Sequence, residues 1–468
     1  MHELTIQSPY DATHLLSLPL DNISAIKNRI ESAWNLYQER SNWLSPHIRL
    51  EVLRRLYSVL ADEVEDLARL IALECGKPLT DAKVEVKRAL DGVQLAMSEL
   101  RHLEGKQVAM GLTPDSENRL AMTMYEPLGV VVALSAFNHP LNLAIHQVIP
   151  AIAAGCPVII KPSPQSPLSA WRLCEHLQDI FDDMELDSAW VQFCLCDNAL
   201  VDALICDDRV AGVNFIGSHI VGWELRKKLH AGTRITLEHG GAAPVIIAAD
   251  ADIDLLVPML TKAAFYHAGQ VCVSTQRVFA HDDIMAELSE KLVYAASQQI
   301  VGNPLHEITT IGPMINEESC DRVSKWVQEA QLGGANLLHG GDKIAANCYR
   351  PTILYNPHDD AKVSTQEIFG PVMCLYNYND RKDAILRANS VPFAFQASVF
   401  TKDIDIALNT VQQLDATGVM VNDHTAFRTD WMPFGGGGKA GLGTGGIGYT
   451  IRDMSREKLV VIKHKTPS

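Results

Sequence analysis

At 468 residues the chain is too long for one hydrophobic core, and roughly two or three domains are expected. Its formal charge of −16 argues against nucleic acid or an anionic membrane as the main partner. Hydrophobic content of 47% and charged content of 21% describe an ordinary globular chain, and ten irregularly spaced cysteines are too sparse for a disulfide scaffold.

The opening MHELTIQSPYDATHLLSLPL lacks a charged start followed by a long apolar run, so it does not read as a signal peptide. No apolar stretch reaches membrane-spanning length. Neither a Cys-x-x-Cys pair nor a His-Glu-x-x-His motif is present, which argues against a zinc site. A reducing cytoplasm is the expected location.

Residues 22–104 read as helices. Ser45-Pro46 gives an N-cap followed by proline, and Leu53, Leu56, Leu60, Val64 and Leu67 repeat at helical spacing. Gly76-Lys77-Pro78 should break this run, with a second helix from Asp81 to Leu103. Over 105–127 the period falls near two, through Val108, Met110, Leu112, Leu120, Met122 and Met124, with Pro114-Asp115-Ser116 as the turn. This predicts a hairpin-like arm whose apolar side needs a partner.

From 128 to 248 the signals alternate. Strands are expected at Gly129–Phe137, Cys156–Lys161, Ser188–Leu195, Val210–Ile216, Thr233–Leu237 and Val245–Ala248, with helices between most of them. Near-continuous apolar strands in repeated βα units predict a parallel, doubly wound sheet that binds ligands beyond its carboxyl ends. Cys194 and Cys196 would share one face of their strand. A second alternating set spans about 250–430, beginning with a helix from Ile253 to Ala264, with strands at Ser274–Phe279, Val372–Tyr376, Ala397–Phe400 and Gly418–Val421. The glycine run Gly435–Gly438 beside Trp431, Met432, Pro433 and Phe434 reads as ordered coil. Lys458–Ile462 is an apolar strand that could pair with the arm.

Chemistry-bearing residues fall at strand ends. Cys272 sits on a short connection between helix and strand, with Gly269 expected to close the helix. It is either a nucleophile or one more structural thiol. Asn138, at the end of the first strand, is an oxyanion donor or a helix cap. Lys161 ends the next strand and meets either a nucleotide or an internal salt bridge. Phe215-Ile-Gly-Ser218 crosses from strand to helix, where backbone N–H groups can hold a pyrophosphate. Glu238, before His239-Gly240-Gly241, can act as a general base or simply be solvated. Glu367-Ile-Phe-Gly-Pro371 offers a ribose acceptor and an aromatic ring, or only a turn.

Together, and in this order, EPLGVVVALSAFNHPL, GCPVIIKPS, FIGS, LEHGG, GQVCVSTQRV, EIFGPV and MPFGG resemble the aldehyde dehydrogenase superfamily over nearly the whole chain. The resemblance implies an α/β fold in three parts. A Rossmann-like cofactor domain would take 1–104 and 128–238, and an α/β catalytic domain 239–440. An oligomerisation arm with a C-terminal strand would take 105–127 and 441–468, the strand extending a partner's sheet in a homodimer or homotetramer. It implies that Cys272 attacks the aldehyde, that Asn138 and the Cys272 N–H stabilise the oxyanion, and that Glu238 activates the water that hydrolyses the thioester. NAD or NADP would be held by Lys161 and Glu367 at its riboses and by Gly217 and Ser218 at its pyrophosphate, with Phe369 near the nicotinamide ribose. Phe137 and Ser163 would also contact the cofactor.

Some positions depart from common family forms. Phe137 stands where many members carry tryptophan, and His239 where many carry leucine. Gly445 falls where a second glutamate often lies, and Pro164 where NAD-preferring members often have glutamate, which leaves the choice between NAD and NADP open. Arg428, His139 and His424 are cations or potential cations near the expected mouth. They point to a small aldehyde with a polar or anionic tail, and the loop from Asn422 to Arg428 together with LEHGGAAP resembles the lactaldehyde, glyceraldehyde-3-phosphate and phosphonoacetaldehyde-type branch; Arg428 could also be a structural ion-pair partner. Transfer of the acyl group to coenzyme A is the alternative activity, though it needs no water-activating Glu238. A Cys–His hydrolase using Cys272 and His267 is the alternative from another class.

Overall fold

The computed structural model describes residues 2–465. Its frame is two largely parallel sheets. The first runs, edge to edge, Gly441–Leu442, Arg234–Glu238, Val210–Ile216, Val130–Leu134, Val158–Lys161, Val191–Phe193, with only the glycine edge antiparallel. Chain order reverses between Val130–Leu134 and Val210–Ile216, so a crevice opens beyond the carboxyl ends of those two strands.

Both faces of this sheet are covered, which explains its unbroken apolar strands. Val131, Ala133, Val158 and Ile160 pack with helices Pro46–Asp62, Leu79–Glu99, Pro140–Ala154 and Leu168–Asp183. Val130, Val132 and Ile159 point the other way, onto Ile23–Gln38 and Val201–Ile205.

The second sheet orders Asn336–His339, Thr352–Tyr355, Val372–Tyr378, Thr275–His281, Ala243–Ile247, Gln396–Phe400 and Gly418–Val421, antiparallel only at the first pair. It has its own core around Ile246, Phe279, Leu375 and Val399. A three-stranded arm stands apart. Arg119–Pro127 pairs along its whole length with Ser455–Lys463 and briefly with Gln107–Val108. Leu120, Met122, Met124, Leu459, Val461 and Ile462 remain exposed on it. Of the 441–468 tail, Ser455–Lys463 joins the arm. Gly441–Leu442 edges the first sheet, and helix Ile447–Asp453 packs against Leu79–Glu99 and Pro140–Ala154.

Several elements differ from the sequence reading, each for a local reason. Residues 3–19 form a hairpin, Glu3–Gln7 with His14–Pro19, which buries Ile6 and Leu18 and was not anticipated. The first long helical run is divided at Glu63, which leaves the helix to accept from Arg172 Nη2 at 2.8 Å and His176 Nε2 at 3.0 Å. The helix expected from Asp81 to Leu103 runs Leu79–Glu99. The strand expected over Gly129–Phe137 stops at Leu134, freeing 135–139 to turn into the crevice. Only Val191–Phe193 of Ser188–Leu195 is strand, so Cys194 and Cys196 are buried in the following loop and not on one strand face. Among the described residues, no helix is long and apolar enough to cross a membrane.

Candidate active site

One cleft of about 1280 Å³ lies between the two sheets, and the candidates named above, from Phe137 to Arg428, line it, except His267 of the hydrolase alternative. That volume exceeds the roughly 300–1,000 Å³ of a drug-sized ligand site and suits a large ligand together with a small one.

Cys272 reaches the cleft on a strained approach. Helix Ile253–Phe265 ends at Tyr266 and not at Gly269, because His267, Ala268 and Gly269 all take left-handed backbone, with φ of 48°, 54° and 68°. Gly269 is required there twice over, since a Cβ would also lie 2.1 Å from Gly370 O. Gln270 pins the loop by accepting from Ile315 N at 2.9 Å, and Thr425 Oγ1 donates to Val273 O at 2.7 Å. Burial pushes the Cys272 thiol up to about 12, Glu367 and Glu238 adding to the effect and Arg428 opposing it.

Asn138 does not cap the following helix. Its Nδ2 donates to Gln270 O at 2.8 Å, two residues before Cys272. The cap comes instead from Glu85, whose Oε1 accepts from Leu141 N and Asn142 N at 3.0 and 3.1 Å while Oε2 pairs with fully buried Lys77. Glu85 escaped the sequence reading, since nothing local links residue 85 to a turn at 141. Asn138 is thereby free to face the loop that carries the thiol.

Glu238 ends its strand with its carboxylate over Gly445: a Cβ on Gly445 would lie 2.1 Å from Glu238 Oε1. The position that often holds a second glutamate must therefore be glycine here for Glu238 to lie as it does. Burial pushes the Glu238 carboxyl up to about 7, with Arg428 opposing. Gly241 N donates to Cys272 O at 3.3 Å, which ties the Glu238 segment to the nucleophile loop. The arrangement supplies a thiol, an amide donor beside it and a carboxylate poised near neutrality.

On the sheet side, Lys161 Nζ donates to Pro162 O at 3.2 Å and Asn198 Oδ1 at 3.4 Å, so its bonds go to neutral oxygens and not to an internal carboxylate. Ser163 stands beside it, its Oγ accepting from Gln165 N at 3.3 Å. Gly217 and Ser218 open helix His219–Lys228, and no side chain caps that helix. Glu367 packs against Gly240, where a Cβ would lie 1.6 Å from Oε1, and that buried Oε1 has no donor. Burial pushes the Glu367 carboxyl up to about 8, with Arg322 opposing. Phe369 holds φ at 48°, a costly conformation for a bulky residue, and its ring meets Phe137 edge-on at 5.7 Å. An orphaned acceptor, a cation bonded only to neutral oxygens and an uncapped helix start fit the ribose hydroxyls and pyrophosphate of a nicotinamide dinucleotide.

The far end of the cleft adds residues. Arg428 is largely buried, with its Cζ 3.5 Å from the Phe434 ring centre and Nε 3.9 Å from Asp430. Burial lowers its guanidinium to about 10, so it stays charged at neutral pH. Asp430 is already engaged, accepting from Arg88 Nη2 at 2.7 Å and bonded to His146 Nε2 at 2.9 Å. Burial opposes its ionisation, but the His146 and Arg88 bonds outweigh that and hold the carboxyl well below the ordinary range. Sequence spacing did not reveal Arg88 and His146, which come from two separate helices. Burial lowers the imidazole of both His139 and His424, for His139 with Lys77 and Arg88 adding to the effect. His267, the base of the hydrolase alternative, is fully buried, with both ring nitrogens lacking a partner and none bonded to Cys272.

The sequence signature of the aldehyde dehydrogenase family matches residues 2–460. The chain is 36% identical over 423 residues to 3-sulfolactaldehyde dehydrogenase of Priestia aryabhattai, covering 90% of this chain and 87% of that one. It is 32% identical to lactaldehyde dehydrogenase of Methanococcus maripaludis, over 98% of this chain and 97% of that one. Its fold is similar to that of glyceraldehyde-3-phosphate dehydrogenase GapN from Methanocaldococcus jannaschii complexed with NADP, at a TM-score of 0.95 and 31% identity, over 99% of this chain and 100% of that one. The chain belongs to the aldehyde dehydrogenase family. It is an oxidoreductase that acts on aldehydes with NAD or NADP.

Proposed function

We propose that this enzyme oxidises a small aldehyde bearing an anionic tail to the carboxylic acid, with Cys272, Asn138 and Glu238 as its catalytic residues. The observation that carries the anionic tail is Arg428: a largely buried, charged guanidinium lining the cleft, whose Nε has no hydrogen-bond partner and whose ion-pair carboxylate, Asp430, lies 3.9 Å away and is already engaged by Arg88 and His146, with Glu238 the other carboxylate acting on it. Burying a cation without a full partner is costly, and an anionic ligand would complete the pairing. Two of the relatives' names agree in type, since 3-sulfolactaldehyde and glyceraldehyde-3-phosphate both carry an anionic group, whereas lactaldehyde is a neutral polar aldehyde.

In this reading Cys272 releases its S–H proton to solvent and the thiolate adds to the carbonyl carbon as the C=O π bond opens, the oxygen that gains charge being met by Asn138 Nδ2 and the Cys272 N–H. The nicotinamide, when bound, supplies the hydride acceptor. Loss of hydride leaves a thioester on Cys272. Glu238 takes a proton from water as the water attacks that thioester, and the acid departs as the thiol is restored. Lys161, Ser163 and Glu367 bind the riboses, Gly217 and Ser218 the pyrophosphate, and the Phe137–Phe369 pair borders the nicotinamide.

The test is an aldehyde panel read by reduced-cofactor absorbance with both NAD and NADP, on wild type and Arg428→Leu. Substitution should lower kcat/KM for anionic aldehydes about 10- to 100-fold more than for neutral ones of equal length. An equal loss for both kinds would refute a tail-binding role for Arg428.

The same reading divides the chain at the arm and gives it a homo-oligomer in the cytoplasm. The exposed apolar residues on the arm support association, because a three-stranded sheet bare on both faces invites a partner. Sedimentation should give a dimer or tetramer, and Met122→Glu paired with Val461→Glu should shift it toward monomer. A wild-type monomer at micromolar concentration would remove the arm's assigned role.

A further inference from the structure

His239 occupies a position that the proposed mechanism leaves idle. It is only 2% exposed, yet it is polar, and it stands between the base Glu238 and Gly240, against which Glu367 packs. Its Nδ1 lies 2.9 Å from Gly217 O, the carbonyl at the strand-to-helix turn. A carbonyl can only accept, so Nδ1 carries the proton and donates. Nε2 is then a bare lone pair, and it is buried without a donor. The ring is wedged edge-on against Phe215 at 5.7 Å and Trp223 at 6.1 Å. Room for it exists because residue 222 is glycine, where a Cβ would lie 2.1 Å from His239 Cε1.

This bond has a directional consequence. In a trans peptide the C=O and the following N–H point to opposite sides, and no cis peptide occurs among the described residues. Holding Gly217 O toward His239 therefore turns the Ser218 N–H the other way. A backbone bond braces the same turn, Gly217 N donating to Glu238 O at 3.0 Å, and another holds the His239 backbone, its N donating to Ala440 O at 3.0 Å. Left free, the Gly217 peptide could swing its oxygen toward the position of a pyrophosphate and repel it.

We propose that His239 is a positioning residue for the dinucleotide: it anchors the Gly217 carbonyl so that the N–H groups at the start of helix His219–Lys228 face the bound pyrophosphate. The inference rests on the cofactor placement given above. Burial, with the His219 neighbour adding to it, lowers the imidazole to about 4, so it is a neutral donor throughout the physiological range.

The experiment is calorimetric titration of NAD and NADP in the absence of aldehyde, on wild type, His239→Leu, His239→Asn and His239→Gln. Asparagine places its amide nitrogen where Nδ1 stands, whereas glutamine places it where Nε2 stands. Leucine and glutamine should weaken dinucleotide binding about 5- to 50-fold by leaving Gly217 O without its donor, and asparagine should restore most of the loss. In turnover the loss should appear in KM for the dinucleotide, with kcat at saturation little changed. Equal binding by all four proteins, or an equal loss in all three variants, would overturn the proposal, because a space-filling role does not distinguish asparagine from glutamine in this order. A wild-type enzyme that bound neither dinucleotide would overturn the cofactor placement itself.

Discussion

Cys272→Ala is expected to reduce aldehyde oxidation by roughly 10⁴-fold or more, the scale on which loss of a covalent nucleophile acts, while dinucleotide binding stays intact. Stopped-flow absorbance and a binding titration on one preparation check both halves, and residual turnover near wild type would refute the assigned nucleophile. The free enzyme holds this thiol in reserve. Burial first, then the Glu367 and Glu238 carboxylates, push it up to about 12. The thiol is the neutral form, so the reactive thiolate is scarce at pH 7 and its fraction rises with pH. Alkylation of Cys272 by iodoacetamide without cofactor should accelerate about tenfold per pH unit between pH 7 and 9. A rate that levels off below pH 8 would show that the thiol ionises without help from a bound ligand.

Glu238→Gln should preserve the first burst of reduced cofactor and slow steady-state turnover by about 10²- to 10⁴-fold, because only the thioester's hydrolysis needs a base. Rapid-quench measurement of both phases separates the steps, and an equal loss in each would remove Glu238 from hydrolysis. The pH dependence has a fixed sign. Burial pushes the Glu238 carboxyl up to about 7, and a carboxyl accepts a proton only when ionised. Hydrolysis should therefore fall as pH drops below 7, and Glu238→Gln should abolish that fall. Arg428 opposes the rise at Glu238, so Arg428→Leu should move the inflection upward.

The chain order of Asn138, Lys161, Gly217-Ser218, Glu238, Cys272 and Glu367 was enough to mark residues that the fold brings to one cleft. Four of these, Asn138, Lys161, Gly217-Ser218 and Glu238, lie at or just beyond the carboxyl ends of strands, places that short unbroken apolar runs mark in a sequence. Cys272 and Glu367 each sit before a strand, and their motifs carried them. Other contacts were silent. Glu85 caps a helix whose first bonded residue is Leu141, and Arg88 and His146 meet at Asp430 across three segments far apart in the chain. The ionisation of the two substrate-end histidines was also beyond what spacing can tell. A histidine's ionisation depends on burial and on neighbouring cations, and Lys77 and Arg88 reach His139 only through folding.

The sequence by itself determined the doubly wound sheet, the arm, the nucleophile loop and the family, because each rests on local periodicity or on short motifs in register. Tertiary structure decided which side chains are charged, which carbonyls are anchored and why Gly445 and Gly222 must lack a Cβ. Those facts depend on distances between segments far apart in the chain and on exclusion of water from the cleft, and neither is written in the spacing of residues.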